Sequence, residues 1–290
     1  LTLIEQSRAM RIDSHQHFWR FDHARHGWIT DQMDVLKRDF LPEHLIPELQ
    51  DNGMDACITV QVEHSSTETM ALLDLAHQHR EIVGVVGWVD LAAEDIEPRL
   101  RQLAQFPKLR GFRHIVQAEP DDRYMLRPDF LRGIAALRPF GFTFDILIYP
   151  RQLPAAVELV QRFPGQSFVI DHIAKPLIKD GGPSAQRDWA RHMRRLAGGP
   201  NVYCKVSGMV TEADWRHWRN EDFLPYLEVV FEAFGSDRLM FGSDWPVCLL
   251  AAPGYRQVKA VVEAYTSRLS PAQTDKIFGL NAARFYGLKL

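Results

Sequence analysis

Eight short apolar runs, rich in β-branched and aromatic residues, recur along the chain at 11–18, 56–63, 82–90, 109–117, 142–149, 167–174, 202–208 and 239–246. Their starts lie 45, 26, 27, 33, 25, 35 and 37 residues apart, room in each gap for a strand, a helix and two loops. The intervening segments carry helical patterns such as "TMALLDLAHQHR", "RPDFLRGIAALRPFG", "QLPAAVELVQRFPG" and "FLPYLEVVFEAFG". Several end in a Gly, which suits the left-handed residue that follows a helix. Runs that are apolar on both faces read as parallel strands covered by helices, because a half-exposed antiparallel strand would alternate. Eight such units predict an α/β fold, a (β/α)8 TIM barrel. A doubly wound open sheet is the alternative, and eight parallel strands favour closure.

A chain of 290 residues exceeds the usual domain, yet barrels of this kind fill that length as one unit. No composition shift or linker divides it, and "GGPSAQ" at 181–186 is only a short polar loop. The expected organisation is therefore a single barrel domain over 10–290, preceded by an extension, residues 1–9, that the fold does not need. With 46% hydrophobic residues the chain has enough material for a core without metal or disulfide staples. The formal net charge of −3 gives no attraction to nucleic acid or to an anionic membrane surface, so a small-molecule partner is expected. No apolar stretch reaches membrane-spanning length, and "LTLIEQSRAM" does not read as a secretory signal. Three cysteines without a CxxC pair fit a reducing, cytoplasmic setting. Nothing in the pattern selects an oligomeric state.

A barrel of this type works at the C-terminal ends of its strands. In "RIDSHQHFW", residues 11–19, His15 and His17 lie two apart, and the strand period of two turns both to one face, where they could share an ion. Run six ends "FVIDHIAKP", with Asp171, His172 and Lys175, and run eight ends "LMFGSDWP", with Asp244. These residues reach the same rim from distant parts of the chain. A carboxylate beside a metal or basic cluster stays ionised at neutral pH and can take a proton from an attacking water, and Asp244 is the first choice for that role. Its competing reading is a helix cap in a βα loop. In run four, "LRGFRHIVQ", alternation sends Arg113 and His114 to opposite sides, and an inward Arg113 could clamp a carboxylate or stabilise an oxyanion.

Glu63 and His64 end run two, and Lys205 lies in run seven, where a lysine inside a strand is costly unless paired. The long segment 19–42, "WRFDHARHGWITDQMDVLKRDFLP", is expected to pack over the mouth as a loop, with Trp19 and Trp28 covering a flat or ring-shaped ligand. Glu63 and Lys175 are further candidates for substrate binding. His23 and His26 read as loop residues.

The ordered motifs "IDSHQHFW", "DHIAKP" and "FGSDWP" resemble the amidohydrolase superfamily, in particular its amidohydrolase-2 branch of metal-dependent hydrolases, across about residues 10–288. Within that branch they look most like the sugar-acid lactonases of the fuconolactonase or rhamnonolactonase kind. The resemblance implies an active centre of His15, His17, His172 and Asp244, with Asp244 as the base and a sugar lactone as substrate; Arg113, from its place in run four, is the further catalytic candidate. It also implies a divalent metal, zinc or a similar ion, held by the same four residues. Binuclear members carry a bridging Lys on strand four and a His on strand five; here run four offers Arg113 and run five, "FTFDILIY", has no histidine, so at most one ion is expected. Pyrone lactonases of the branch share the motifs yet work without metal, so a mechanism in which His15, His17, His172 and Arg113 act as hydrogen-bond donors stays open beside the metal-assisted one. A decarboxylase of aromatic acids with the same HxH and Asp, and a barrel that binds ligand without chemistry, are the alternative functions.

Overall fold

The computed structural model describes residues 8–289. Eight parallel strands form one sheet in chain order: β1 Ile12–Gln16, β2 Ala56–Val60, β3 Ile82–Gly87, β4 Leu109–His114, β5 Thr143–Ile146, β6 Phe168–Ile170, β7 Val202–Val206 and β8 Leu239–Phe241. Each pairs with the next, which is the winding that right-handed βα crossovers generate. The outer helices include Pro42–Asp51, Ser66–Gln78, Pro128–Leu137, Leu153–Arg162, Pro183–Ala197, Asn220–Phe234 and Tyr255–Thr266. The (β/α)8 barrel expected from the spacing is the fold observed.

The sheet closes between its first and last strands largely through groups beyond the regular ladder. Ser14 Oγ donates to Phe241 O at 2.7 Å, Asp244 N to His15 O at 2.8 Å and His17 N to Trp245 O at 2.8 Å. Asp13 bridges the same seam, accepting from His15 N, Ser243 N and Tyr255 OH. Burial pushes the Asp13 carboxyl up to about 6 against the pull of those donors. The seam that closes the barrel is thus also the place where His15, His17 and Asp244 meet.

Two apolar layers hold the strands. Between sheet and helices lie large buried side chains such as Phe112, Phe130, Phe144, Phe168 and Trp189. Inside the lower barrel Ile12, Ile58, Val86, Val169 and Met240 pack together and are plugged by Ala282, Phe285 and Tyr286. Each such fully buried side chain contributes about 1.5–3 kcal/mol relative to exposure, which supports the expectation that packing alone can hold this fold.

The apolar runs overshoot the strands at their C-terminal ends. Run six continues to 174, but β6 stops at Ile170; run eight continues to 246, but β8 stops at Phe241. The surplus residues leave the ladder and turn over the mouth. Residues 19–42 form an ordered loop with a core of its own: Trp19, Ile29, Leu36 and Phe40 are buried, and Trp19 pairs with Phe40 in a short bridge. Phe40 packs edge-on against Trp245 at 5.2 Å, tying the loop to the residue after Asp244. The expected extension, residues 1–9, lies mostly outside the described residues. Of its described part, Arg8 meets Gly53 O and the Asp55 carboxylate. Among the described residues no helix is long and apolar enough to cross a membrane.

Candidate active site

Asp244 and the three histidines converge on one point at the mouth. Asp244 Oδ1 lies 3.2 Å from His17 Nε2, 3.7 Å from His172 Nε2 and 3.9 Å from His15 Nε2. All four residues are buried. The alternation argument for the HxH pair is therefore sound even though β1 has a register irregularity between Asp13 and Gln16. Asp244 does not cap a helix with its side chain. Burial by itself would raise the Asp244 carboxyl, but His172, His17 and Lys175 outweigh it and hold the group below its ordinary value.

Unusual backbone carries two of these residues. Asp244 has φ 56°, and His172, Ile173, Ala174 and Lys175 form a run of left-handed residues with φ between 46° and 58°. Non-glycine residues visit this region at a cost of about 1–2 kcal/mol each, more for a β-branched Ile, so the surroundings must over-determine the turn. They do: Lys175 N donates to His172 O at 2.8 Å, Trp189 Nε1 to Ile173 O at 2.8 Å, and His172 Nδ1 shares a 2.9 Å hydrogen bond with Ser207 Oγ. Gly208, itself at φ 63°, leaves room for the imidazole; a Cβ there would come within 2.4 Å of His172 Nδ1.

The protonation states follow from the partners. His17 Nδ1 lies 2.7 Å from Val60 O, which can only accept, so Nδ1 carries a proton, and Nε2 faces Asp244 Oδ1 at 3.2 Å, as a donor to the carboxylate when protonated or as a ligand atom when an ion lies between them. His15 is pushed well below ordinary imidazole values, first by burial, with Asp171 opposing and Lys205 reinforcing the shift. Burial lowers His172 in the same way against the pull of Asp244. Both are neutral donors or ligands at working pH. Arg113 Nη1 lies 3.2 Å from His15 Nε2 and 3.1 Å from Asp171 Oδ2, while at the other ring nitrogen His15 Nδ1 sits between Lys205 Nζ at 3.2 Å and Asp171 Oδ1 at 3.3 Å.

Beneath the mouth lies a charge layer. Lys205, fully buried, pairs with Asp145 and with Asp171 Oδ1 at 3.1 Å, while Tyr286 OH donates to Asp145 Oδ2 at 2.8 Å. Two cations, Arg113 and Lys205, thus balance two carboxylates, Asp145 and Asp171. Asp171 is held well below carboxylate values because Lys205, His15 and Arg113 overcome its burial. Arg113 is also gripped by the backbone and side-chain oxygens of Gln61.

The donor set suits one divalent ion. A tetrahedral site with Zn–N and Zn–O bonds of about 2.0–2.1 Å has ligand atoms about 3.3–3.4 Å apart; the 3.2 Å from Asp244 Oδ1 to His17 is near this, and those to His172 and His15 are longer, at 3.7 and 3.9 Å. Ligand atoms of His15, His17 and Asp244 all lie within 4.8 Å of one another. Asp171 behind His15 and Val60 O behind His17 supply the outer hydrogen bonds that orient metal-binding imidazoles. His15 Nε2 is the ligand atom that Arg113 also contacts.

The other candidates fall differently. Lys175 sits 3.4 Å from Glu212 and over the Tyr149 ring at the rim. Trp28 is 38% exposed. Trp19 is instead a staple of its loop, 5% exposed with its indole donating to Arg38 O, and Glu63 is engaged by Arg25 at 2.9 Å and His26 at 3.4 Å. In these two residues the polar groups are engaged in anchoring the loop to the rim. His26, read as an ordinary loop residue, is 1% exposed and part of that anchor. Sequence reasoning passed over Asp145, Asp13 and Tyr286. The signal for Asp145 was available, since a carboxylate in the middle of "FTFDILIY" cannot be buried without a cation.

Comparison with known proteins identifies the family of the chain. The amidohydrolase family model matches residues 12–288. An L-fucono-1,5-lactonase of Burkholderia multivorans is 43% identical over 288 residues, 97% of each chain. One of Burkholderia ambifaria is 39% identical, covering 96% of both. A crystal structure of an amidohydrolase from B. multivorans with bound zinc superposes with a TM-score of 0.92 at 43% identity, covering 97% of this chain and 100% of that one.

Proposed function

The chain belongs to the amidohydrolase family, and on that premise we propose that it opens the six-membered lactone of a 6-deoxy sugar acid of the L-fucono type to the free aldonate. That it is a hydrolase of sugar-acid lactones follows from the near full-length relatives named L-fucono-1,5-lactonase. The observation that carries the residue assignment is the convergence of three imidazoles on Asp244 Oδ1 within 3.9 Å.

In this reading water attacks the lactone carbonyl while Asp244, ionised at neutral pH, takes its proton. Where no ion is bound, hydrogen-bond donors from His172 and Arg113 meet the resulting oxyanion. Collapse breaks the bond between the acyl carbon and the ring oxygen, and Asp244 returns the proton to that oxygen, leaving a hydroxyl and a carboxylic acid. The acid then ionises, so each turnover releases one proton. His15, His17, His172 and Asp244 would hold one divalent ion, zinc being favoured by the nitrogen-rich donor set. When bound, such an ion supplies Lewis-acid polarisation of the carbonyl and eases ionisation of water. Trp28 and Lys175 are the proposed contacts at the rim. A cytoplasmic setting fits Cys57, Cys204 and Cys248, which are buried free thiols.

The test is a panel of aldono-lactones and hydroxybenzoates followed by pH indicator and by carbon dioxide release, with and without chelator. Proton release from the lactones without carbon dioxide is expected, fastest for the L-fucono lactone. Carbon dioxide from an aromatic acid with no lactone opening would overturn the reading in favour of a decarboxylase.

A further inference from the structure

Four rings stack across the rim above β2, β3 and β4. Trp88 lies over His64 at 5.7 Å and 20°, His64 over His114 at 4.0 Å and 27°, and His114 over Tyr124 at 4.9 Å and 16°. The hydrogen bonds around this column fix its tautomers. Trp88 Nε1–H donates to His114 Nδ1 at 3.4 Å, so the His114 proton is on Nε2, where it meets Glu119 Oε1 at 2.7 Å. Ile115 N–H donates to His64 Nε2 at 2.9 Å, which places the His64 proton on Nδ1. That N–H has no partner among the described residues, and the ring rests on Trp88 and His114, which touch each other at 3.4 Å and so lie on one side of it. His64 is the exposed member of the column.

Its position follows from the active site. His64 is three residues beyond Gln61, whose oxygens grip Arg113, and its partner Ile115 is two residues beyond Arg113. We propose that His64 is a specificity-determining residue whose Nδ1–H, oriented by the Ile115 N–H bond to Nε2 and by stacking of the ring on His114 and Trp88, donates a hydrogen bond to a hydroxyl oxygen of the bound lactone. The inference rests on the lactonase reading above and names which feature of a polyhydroxy substrate that site selects. Partial desolvation against its ring neighbours, with the nearby His114 and Arg113, pushes the His64 imidazole down to about 4, so the ring remains a neutral donor across the neutral range. A fixed ring with one unpaired N–H loses little freedom on binding and favours a ligand that fills that one position.

The experiment crosses enzyme and substrate. The wild-type protein and His64→Phe, which keeps an aromatic ring in the stack and removes the donor, are compared on the L-fucono lactone and its mono-deoxy analogues, as substrates or as competitive inhibitors. His64→Phe is expected to raise KM for the parent lactone about 3- to 10-fold at nearly unchanged kcat, the size of one neutral hydrogen bond. One deoxy lactone should show no such penalty, because its missing hydroxyl is the partner. His64→Gln, whose amide can accept from Ile115 and donate outwards, should recover most of the affinity. An equal loss on every lactone would mean a merely structural role, and no loss on any would mean no contact; either overturns the inference while the wild-type activity stands. No lactone opening by the wild-type protein would overturn the lactonase reading, and this inference with it.

Discussion

The lower and upper halves of the barrel interior are built by the same eight strands, yet one is hydrocarbon and the other ionic. Below, Ile12, Ile58, Val86, Val169 and Met240 meet the plug of Ala282 and Phe285. Above, His15, Arg113, Asp145, Asp171, His172, Lys205 and Asp244 are equally buried. The change occurs within single strands: β1 runs from Ile12 to His15 in three residues, and the eighth unit from Met240 to Asp244 in four. The lower half gains stability by excluding water from apolar surface, at a cost only in chain entropy. The upper half removes charges from water and is tolerable only because Lys205 and Arg113 face Asp145 and Asp171 at hydrogen-bond distance. The division places rigidity where nothing reacts and stored strain where chemistry occurs.

Substitutions can break this division. The largest stability effect is expected for Lys205→Met, which leaves Asp145 and Asp171 short of a buried counter-charge and should cost about 3–5 kcal/mol. Denaturant unfolding would show it as a lowered midpoint. If stability is unchanged, the ionic layer is not held by mutual compensation. Next is Ile58→Ala in the lower core, where a fully buried side chain is cut back; about 2–5 kcal/mol should be lost while kcat of the folded protein is preserved. A fall in kcat comparable with that of a mouth variant would show that the two halves are not separate.

The smallest effect is a pH dependence that should be nearly absent. The active form of Asp244 is ionised, and its lowered pKa keeps it so until pH falls through the folded-state value, below the ordinary 3.8. His15 and His172, also lowered, stay neutral as pH falls through the ordinary imidazole range. Between about pH 5 and about pH 8, kcat/KM should therefore change by less than about twofold. An acid limb centred near pH 6–7 would assign the essential ionisation to another group.

Much of this was legible in the sequence, and what was not has physical reasons. Spacing and composition yielded the barrel, because helix-covered parallel strands must be apolar on both faces. The four converging residues were legible from period two and strand ends, combined with three ordered motifs. Strand ends were not: "IDHIA" is as apolar as a strand, and only tertiary contacts from Trp189, Ser207 and Gly208 turn it left-handed. The loop contacts of Trp19 and Glu63 were not legible, because residue type says what a side chain can contact, whereas a loop that folds on itself decides what it does contact. Asp145 and Asp171 repel each other and both need Lys205, and a three-body balance drawn from β5, the residue after β6, and β7 is not visible in any one segment.

The most direct measurement is Asp244→Asn set beside the wild-type protein, reading proton release from the L-fucono lactone and thermal unfolding on the same samples. The amide keeps the shape and removes the base. The rate should fall about 10³-fold, while the unfolding temperature stays within a few degrees of the parent. A variant that opens the lactone at the parental rate, still folded, would contradict the assignment of the chemistry to Asp244.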